Sequence, residues 1–245
     1  MTSDRALKQA VRGRAARTGE KYTEARRAVL AADTATEAGG EFDRQVATLV
    51  ELAYPAACGL TERAFRARLE PLRAAAASVG DVSADAGSGH FGFVIVVRAR
   101  LVPTEAAIAL VRRRGKAGHL SMLTPDELAT FAPIEPVTVP DADAYLVCGI
   151  QSGRSSLNMT PDDALAQILS AGRSPLTVEE GIALVTQYPE AVAANGGISL
   201  AGSRCGDRRV MALWISKGAP KLGWCWAGNP HTWLGIGSCA RRVRA

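Results

Sequence analysis

The densest group of side chains able to do chemistry lies near the C-terminus. Trp214, Trp224, Trp226 and Trp233, all the tryptophans of the chain, fall within twenty residues and surround the turn Asn229-Pro-His-Thr232. Trp224 and Trp226 stand two apart, so a strand would place both on one face. With Arg204, Asn229 and His231 they would supply aromatic walls and polar heads for a small polar ligand. The competing assignment, which the sequence favours, makes the tryptophans the core of a small sheet, since large aromatics contribute mainly by burial. Asn-Pro-His is then a turn that caps backbone groups. The neighbouring Gly202-Ser-Arg-Cys-Gly-Asp-Arg-Arg209 is dense in donors. It would suit a phosphate or carboxylate through Arg204, Arg208 and Arg209, and equally an ordinary hairpin end.

No catalytic arrangement stands out. Ser203, Cys205, Asp207 and His231 include the residue types of a nucleophile set, yet neither Gly149-Ile-Gln-Ser-Gly153 nor Ala201-Gly-Ser-Arg204 has the G-x-S-x-G spacing. The glycine-rich phosphate loops are absent, so no nucleotide cofactor is expected. Five cysteines, an odd number without a C-x-x-C pair, indicate reduced thiols. Cys205, Cys225, His231 and Cys239 lack the close ligand pairs of structural zinc sites, so no metal is expected.

A second concentration lies at the N-terminus. Residues 1–30 carry eight basic and three acidic side chains, while the other 215 residues are balanced. A basic terminal segment on a neutral body points to a polyanion such as nucleic acid. Ala15 to Gly19, then Tyr22-Thr-Glu-Ala-Arg-Arg27, resembles a helix-turn-helix, with Thr23, Arg26 and Arg27 as the groove-facing residues. Glu20, where such motifs place an apolar residue, and the small Ala25 and Ala28 depart from that pattern. The alternative is a basic helical hairpin that docks on the main domain or on a partner protein. Arg241, Arg242 and Arg244 read as a frayed soluble end.

The elements that must position these residues follow from periodicity and capping. Leu7, Val11 and Ala15 mark a helix over 5–16, ended by Gly19; Tyr22, Ala25 and Val29 mark the packed face of a second. Ala38-Gly39-Gly40 is the expected linker. Phe42 to Val50 and Phe65 to Ala76, behind the cap Thr61, give two more helices. Thr124, Thr160 and Thr177 each open a further helix. Phe91 to Val97 and Tyr145 to Ile150 are apolar strands, and Ile198–Ala201, Val210–Ile215 and Leu222–Trp226 form an antiparallel meander. The expected class is α+β, with N-terminal helices, a mixed centre and a C-terminal antiparallel sheet.

Apolar residues make up 47% and charged residues 22%, which excludes collagen-like and disordered chains. No apolar run reaches the roughly 18 residues of a membrane span, and the basic start has no signal-peptide centre, so no membrane association and a cytoplasmic location are expected.

Long stretches carry a resemblance. Gly172 to Thr186, Leu200 to Arg209, Ala212 to Ser216 and Ala219 to Gly235, with Phe42-Asp-Arg-Gln-Val46 and the Pro133-Ile and Tyr145-Leu regions, resemble the actinobacterial family DUF5701, a domain of unknown function, over about 41–240. The resemblance implies a domain boundary near Gly40 and a cytosolic setting, and no activity, reaction or ligand. Arg17 to Arg27 looks like a short basic motif found at the start of other actinobacterial proteins. The expected organisation is a hairpin over 1–38 and an α+β domain over 41–240. A non-enzymatic binding or regulatory role contacting nucleic acid leads, and the alternative is an enzyme or small-molecule binder with its site at the tryptophan-rich end.

Overall fold

The computed structural model describes residues 4–245. Helices α1 (Asp4–Thr18) and α2 (Tyr22–Glu51) form a hairpin turned at Gly19, whose φ of 74° is open to glycine at no steric cost. Val11 and Ala25 are buried within it. Arg14 donates to both carboxylate oxygens of Glu20, at 2.8 and 3.0 Å. That bidentate pair accounts for an acid at a position where an apolar residue was expected. Tyr22, predicted to face α1, is instead 45% exposed, because it lies beside the turn where α1 has already ended.

The chain does not break at Gly39-Gly40. Helix α2 runs straight through, and a Cβ at either glycine would meet nothing within 4 Å. Each glycine costs a helix about 1 kcal/mol relative to alanine. The burial of Ala38, Phe42, Val46 and Leu49 on adjacent turns offsets that cost and carries the helix across. The single helix expected over 65–76 is two, Glu62–Leu69 and Leu72–Ala77, since Pro71 between them has no N–H to continue the ladder.

In chain order the main remaining elements, apart from several two-residue strands, are helices α3 (Tyr54–Ala57), α4 (Glu62–Leu69) and α5 (Leu72–Ala77), strand β1 (His90–Val97), helices α6 (Thr104–Leu110) and α7 (Pro125–Ala129), and strand β2 (Ala144–Gln151). Helices α8 (Pro161–Ser170) and α9 (Val178–Gln187) follow, then strands β3 (Gly197–Leu200), β4 (Arg209–Ser216), β5 (Ala219–Trp226), β6 (Leu234–Ile236), β7 (Ser238–Cys239) and β8 (Arg241–Val243). The hydroxyls of Thr61, Thr124, Thr160 and Thr177 each accept a backbone N–H at the start of a helix, as their spacing predicts.

The fold is α+β. One sheet joins β1 and β2 antiparallel and extends through β7 and β8. A second large sheet has the antiparallel meander β3–β4–β5, flanked by β6 and by His119–Leu120, each parallel to its neighbour. Helix α9 touches both sheets. From Glu180 to Gln187 it is buried on every side, and a Cβ on Gly181 would lie 2.3 Å from Leu200 Cδ2, so glycine is what lets the helix approach β3.

Two polar contacts tie the layers together. Gln45 of α2, fully buried, donates from Nε2 to the Phe93 carbonyl at 2.9 Å and accepts the Ile95 N–H at 2.8 Å. Its amide thereby pairs the β1 backbone as a neighbouring strand would. The other contact corrects the expectation of a frayed end: Arg241, Arg242 and Val243 form β8 opposite Cys148, Val147 and Leu146. Arg242 donates to the buried carboxylate of Glu180 from Nε at 2.5 Å and Nη2 at 2.8 Å, to Ser174 Oγ and to the Pro175 carbonyl. Tyr145 Oη and the Thr177 N–H also donate to Glu180. Burial alone would lower the Arg242 pKa, but its bonds and charge contact with Glu180 raise it. The guanidinium could be folded inward only because nearly all its donors meet acceptors.

Candidate functional site

The tryptophan-rich end is neither a closed core nor a cavity. Trp224 and Trp226 do share a face of β5, their rings meeting edge-on at 4.6 Å, with Trp226 46% exposed. Trp224 Nε1 donates to the Met122 carbonyl at 3.1 Å, and Arg209 lies over its ring. Trp214 lies on the opposite face of the same sheet, edge-on to Trp233, and Lys221 sits over it. The tryptophans therefore lie on both faces of the meander, Trp224 packed against the main core and Trp214 and Trp233 against a smaller one, with Trp226 alone exposed.

The polar residues expected beside them do not converge. Arg204 donates to Asp162 Oδ1 at 3.0 Å, Asn229 is exposed, and His231 rests against Trp233 with its Nε2 sealed from solvent and unpartnered. No hydrogen bond or ring contact joins the three. Cys205 donates to Asp207, which also caps the Arg209 N–H, so that turn is internally satisfied. All five cysteines are free thiols; burial pushes Cys148 up to about 11 and Cys239 up to about 12, which makes them poor nucleophiles. Among the described residues no three of His, Cys, Asp or Glu gather as metal ligands, and no helix is long and apolar enough to cross a membrane.

Trp224→Ala is expected to cost about 2 kcal/mol, below the full price of an emptied core site, because the ring is only part buried. Trp226→Ala should cost less than about 1 kcal/mol. Urea unfolding that gave equal losses would contradict this division of the pair.

At the N-terminus Thr23, Arg26 and Arg27 are all exposed on the first turns of α2. Arg5, Lys8 and Arg12 share one face of α1 by their i, i+3, i+7 spacing. Arg5, Arg12, Arg17, Arg26 and Arg27 form no ion pair with a described residue, whereas Arg14 and Lys8 are paired to Glu20 and Asp4. The helix that would be the recognition element is thirty residues long and continues into the domain, unlike the short second helix of a helix-turn-helix.

A further concavity lies elsewhere, in a place that the motifs did not indicate. A cleft of about 360 Å³ opens at the N-terminal ends of α6 and α9, walled by Pro103, Leu128, Phe131, Pro133 and Val139 among others. On its lining Arg98 Nε lies 2.7 Å from Glu179 Oε2, with the N–H directed off the line to the oxygen, so the contact is ionic. Glu179 Oε1 accepts the Ala99 N–H at 3.1 Å, and Ser203 Oγ accepts the Val178 N–H at 3.1 Å. Burial raises the Glu179 carboxyl pKa, and the Arg98 charge only partly offsets it. The signal available in sequence was the doubled acid of Thr177-Val-Glu-Glu180. A capping box uses one glutamate, here Glu180, and leaves Glu179 for another task.

No curated protein and no solved structure matches this chain at a significant level. A family model does match, over residues 48–245, beginning inside α2 rather than at the glycines. With four-fifths of its length inside that match, the chain belongs to the family of unknown function DUF5701.

Proposed function

We propose that this is a cytoplasmic, non-enzymatic binding protein whose N-terminal hairpin docks on the phosphate backbone of nucleic acid. The observation that carries the reading is the set of exposed, acid-free cations on the hairpin, Arg5, Arg12, Arg17, Arg26 and Arg27, set in the stretch that holds the chain's whole charge excess. Cations held on a helical surface without acidic partners attract polyanions and release their counterions on contact. The length of α2 argues for backbone contact rather than base reading by a short recognition helix.

In low salt the protein should bind duplex DNA with little sequence preference. Replacing Arg26 and Arg27 together by alanine should lower the slope of log K against log salt by about 0.9 for each lost phosphate contact. Fluorescence anisotropy over a salt series measures it. An unchanged slope would place the contact elsewhere, and no binding at low salt would end the proposal.

A further inference from the structure

We propose that the cleft between α6, α7 and α9 is a binding site for a small apolar molecule carrying one ammonium group. Its volume of about 360 Å³ falls in the range of roughly 300–1,000 Å³ typical of small-molecule pockets. Leu128, Phe131, Pro133, Val139 and Pro103 give it apolar walls. The charges on its lining decide the ligand's sign. Arg98 is already engaged: Nη1 donates to the Pro140 carbonyl, Nε rests against Glu179, and the guanidinium lies over the Tyr145 ring. The positive charge in the cleft is thus committed to groups of the protein. Glu105, also on the lining, is exposed at the start of α6 and has no ion pair or side-chain hydrogen bond with any described residue.

Arg98 and Glu179 offset one another, so the unspent charge of the cleft is that of Glu105, and a carboxylate entering it would face Glu105 with no free cation to receive it. An ammonium would find the unpaired Glu105 on the lining and apolar walls for its hydrocarbon part. The site lies on the domain, away from the hairpin cations, and stands or falls independently of nucleic-acid binding.

The test uses the full chain and three probes of one shape: benzylamine, benzyl alcohol and benzoate, titrated near neutral pH at low salt while the backbone amides of Ala99, Thr104, Val178 and Glu179 are followed by NMR. Benzylamine should shift these amides saturably, benzyl alcohol more weakly and benzoate least. Glu105→Gln, an exposed change that leaves the fold intact, should weaken benzylamine by about threefold or more and leave benzyl alcohol unchanged. Ala129→Trp, which fills the cleft from an exposed position, should abolish binding of all three. Benzoate binding as tightly as benzylamine, an unaltered benzylamine affinity in Glu105→Gln, or no saturable shift at these amides would each overturn the assignment.

Discussion

Replacing Arg242 by methionine should destabilise the folded protein by about 3–5 kcal/mol, the range for removing one member of a buried ion pair. Methionine keeps most of the side-chain volume, so the loss is electrostatic rather than a cavity. Glu180, fully buried, would keep only the Tyr145 hydroxyl and the Thr177 N–H as partners. Ser174 Oγ and the Pro175 carbonyl would lose their donor as well. Urea denaturation should show a lower midpoint at an unchanged slope. The double variant Arg242→Met with Glu180→Gln should recover a substantial part of the loss, since no uncompensated charge then remains inside. A single variant within about 1 kcal/mol of the parent would mean that the pair is solvated and that β8 frays after all.

A second large effect is expected at Gln45. Gln45→Leu should cost about 2–4 kcal/mol, because it leaves both the Phe93 carbonyl and the Ile95 N–H buried without partners, and each unsatisfied group costs roughly 1–3 kcal/mol. Leucine is close to glutamine in size, so packing of α2 on β1 is kept. Gln45→Glu separates the two contacts: it preserves an acceptor for Ile95 and turns the donor that faces Phe93 into a second acceptor. Amide exchange provides a local readout, in which the Ile95 N–H should lose protection in Gln45→Leu and keep more of it in Gln45→Glu. Unchanged protection of Ile95 in the leucine variant would show that water or another strand can replace the amide.

The features legible in the sequence were those fixed by near neighbours. Thr124, Thr160 and Thr177 cap helices because capping is a contact across three residues. The meander of β3, β4 and β5 was visible from short apolar runs divided by glycine turns. What depended on distant partners was hidden. Gly39-Gly40 looks like a break locally, and only the apolar stripe that runs from Ala38 to Leu49 against the domain keeps it helical. Arg242 reads as a soluble charge until Glu180, sixty-two residues earlier, is found facing it. The cleft has the same character, since Arg98 after β1, Leu128 of α7 and Glu179 of α9 are far apart in the chain and no spacing connects them. The tryptophans are divided by pairing rather than by spacing alone: alternation along β4 and β5 sends Trp214 to one side, against the smaller core, and the pair Trp224 and Trp226 to the other.

The unbroken course of α2 makes the orientation of the hairpin a matter of counting. Arg26 and Gln45 ride on one helix nineteen residues apart, and each residue between them sets about 100° of rotation and 1.5 Å of rise. Inserting one alanine after Glu37, past the stretch of α2 that faces α1 and before Ala38, would leave the hairpin and the Gln45 contact each intact, yet swing the basic surface about a quarter turn around the helix axis relative to the sheets. Two alanines would nearly reverse it, and four would restore it to within about 40°, displaced by about 6 Å. The helix that runs through Gly39 and Gly40 therefore works as a shaft with a fixed phase, and a ladder of such insertions would show whether the hairpin and the domain grip a common partner in register or two partners independently.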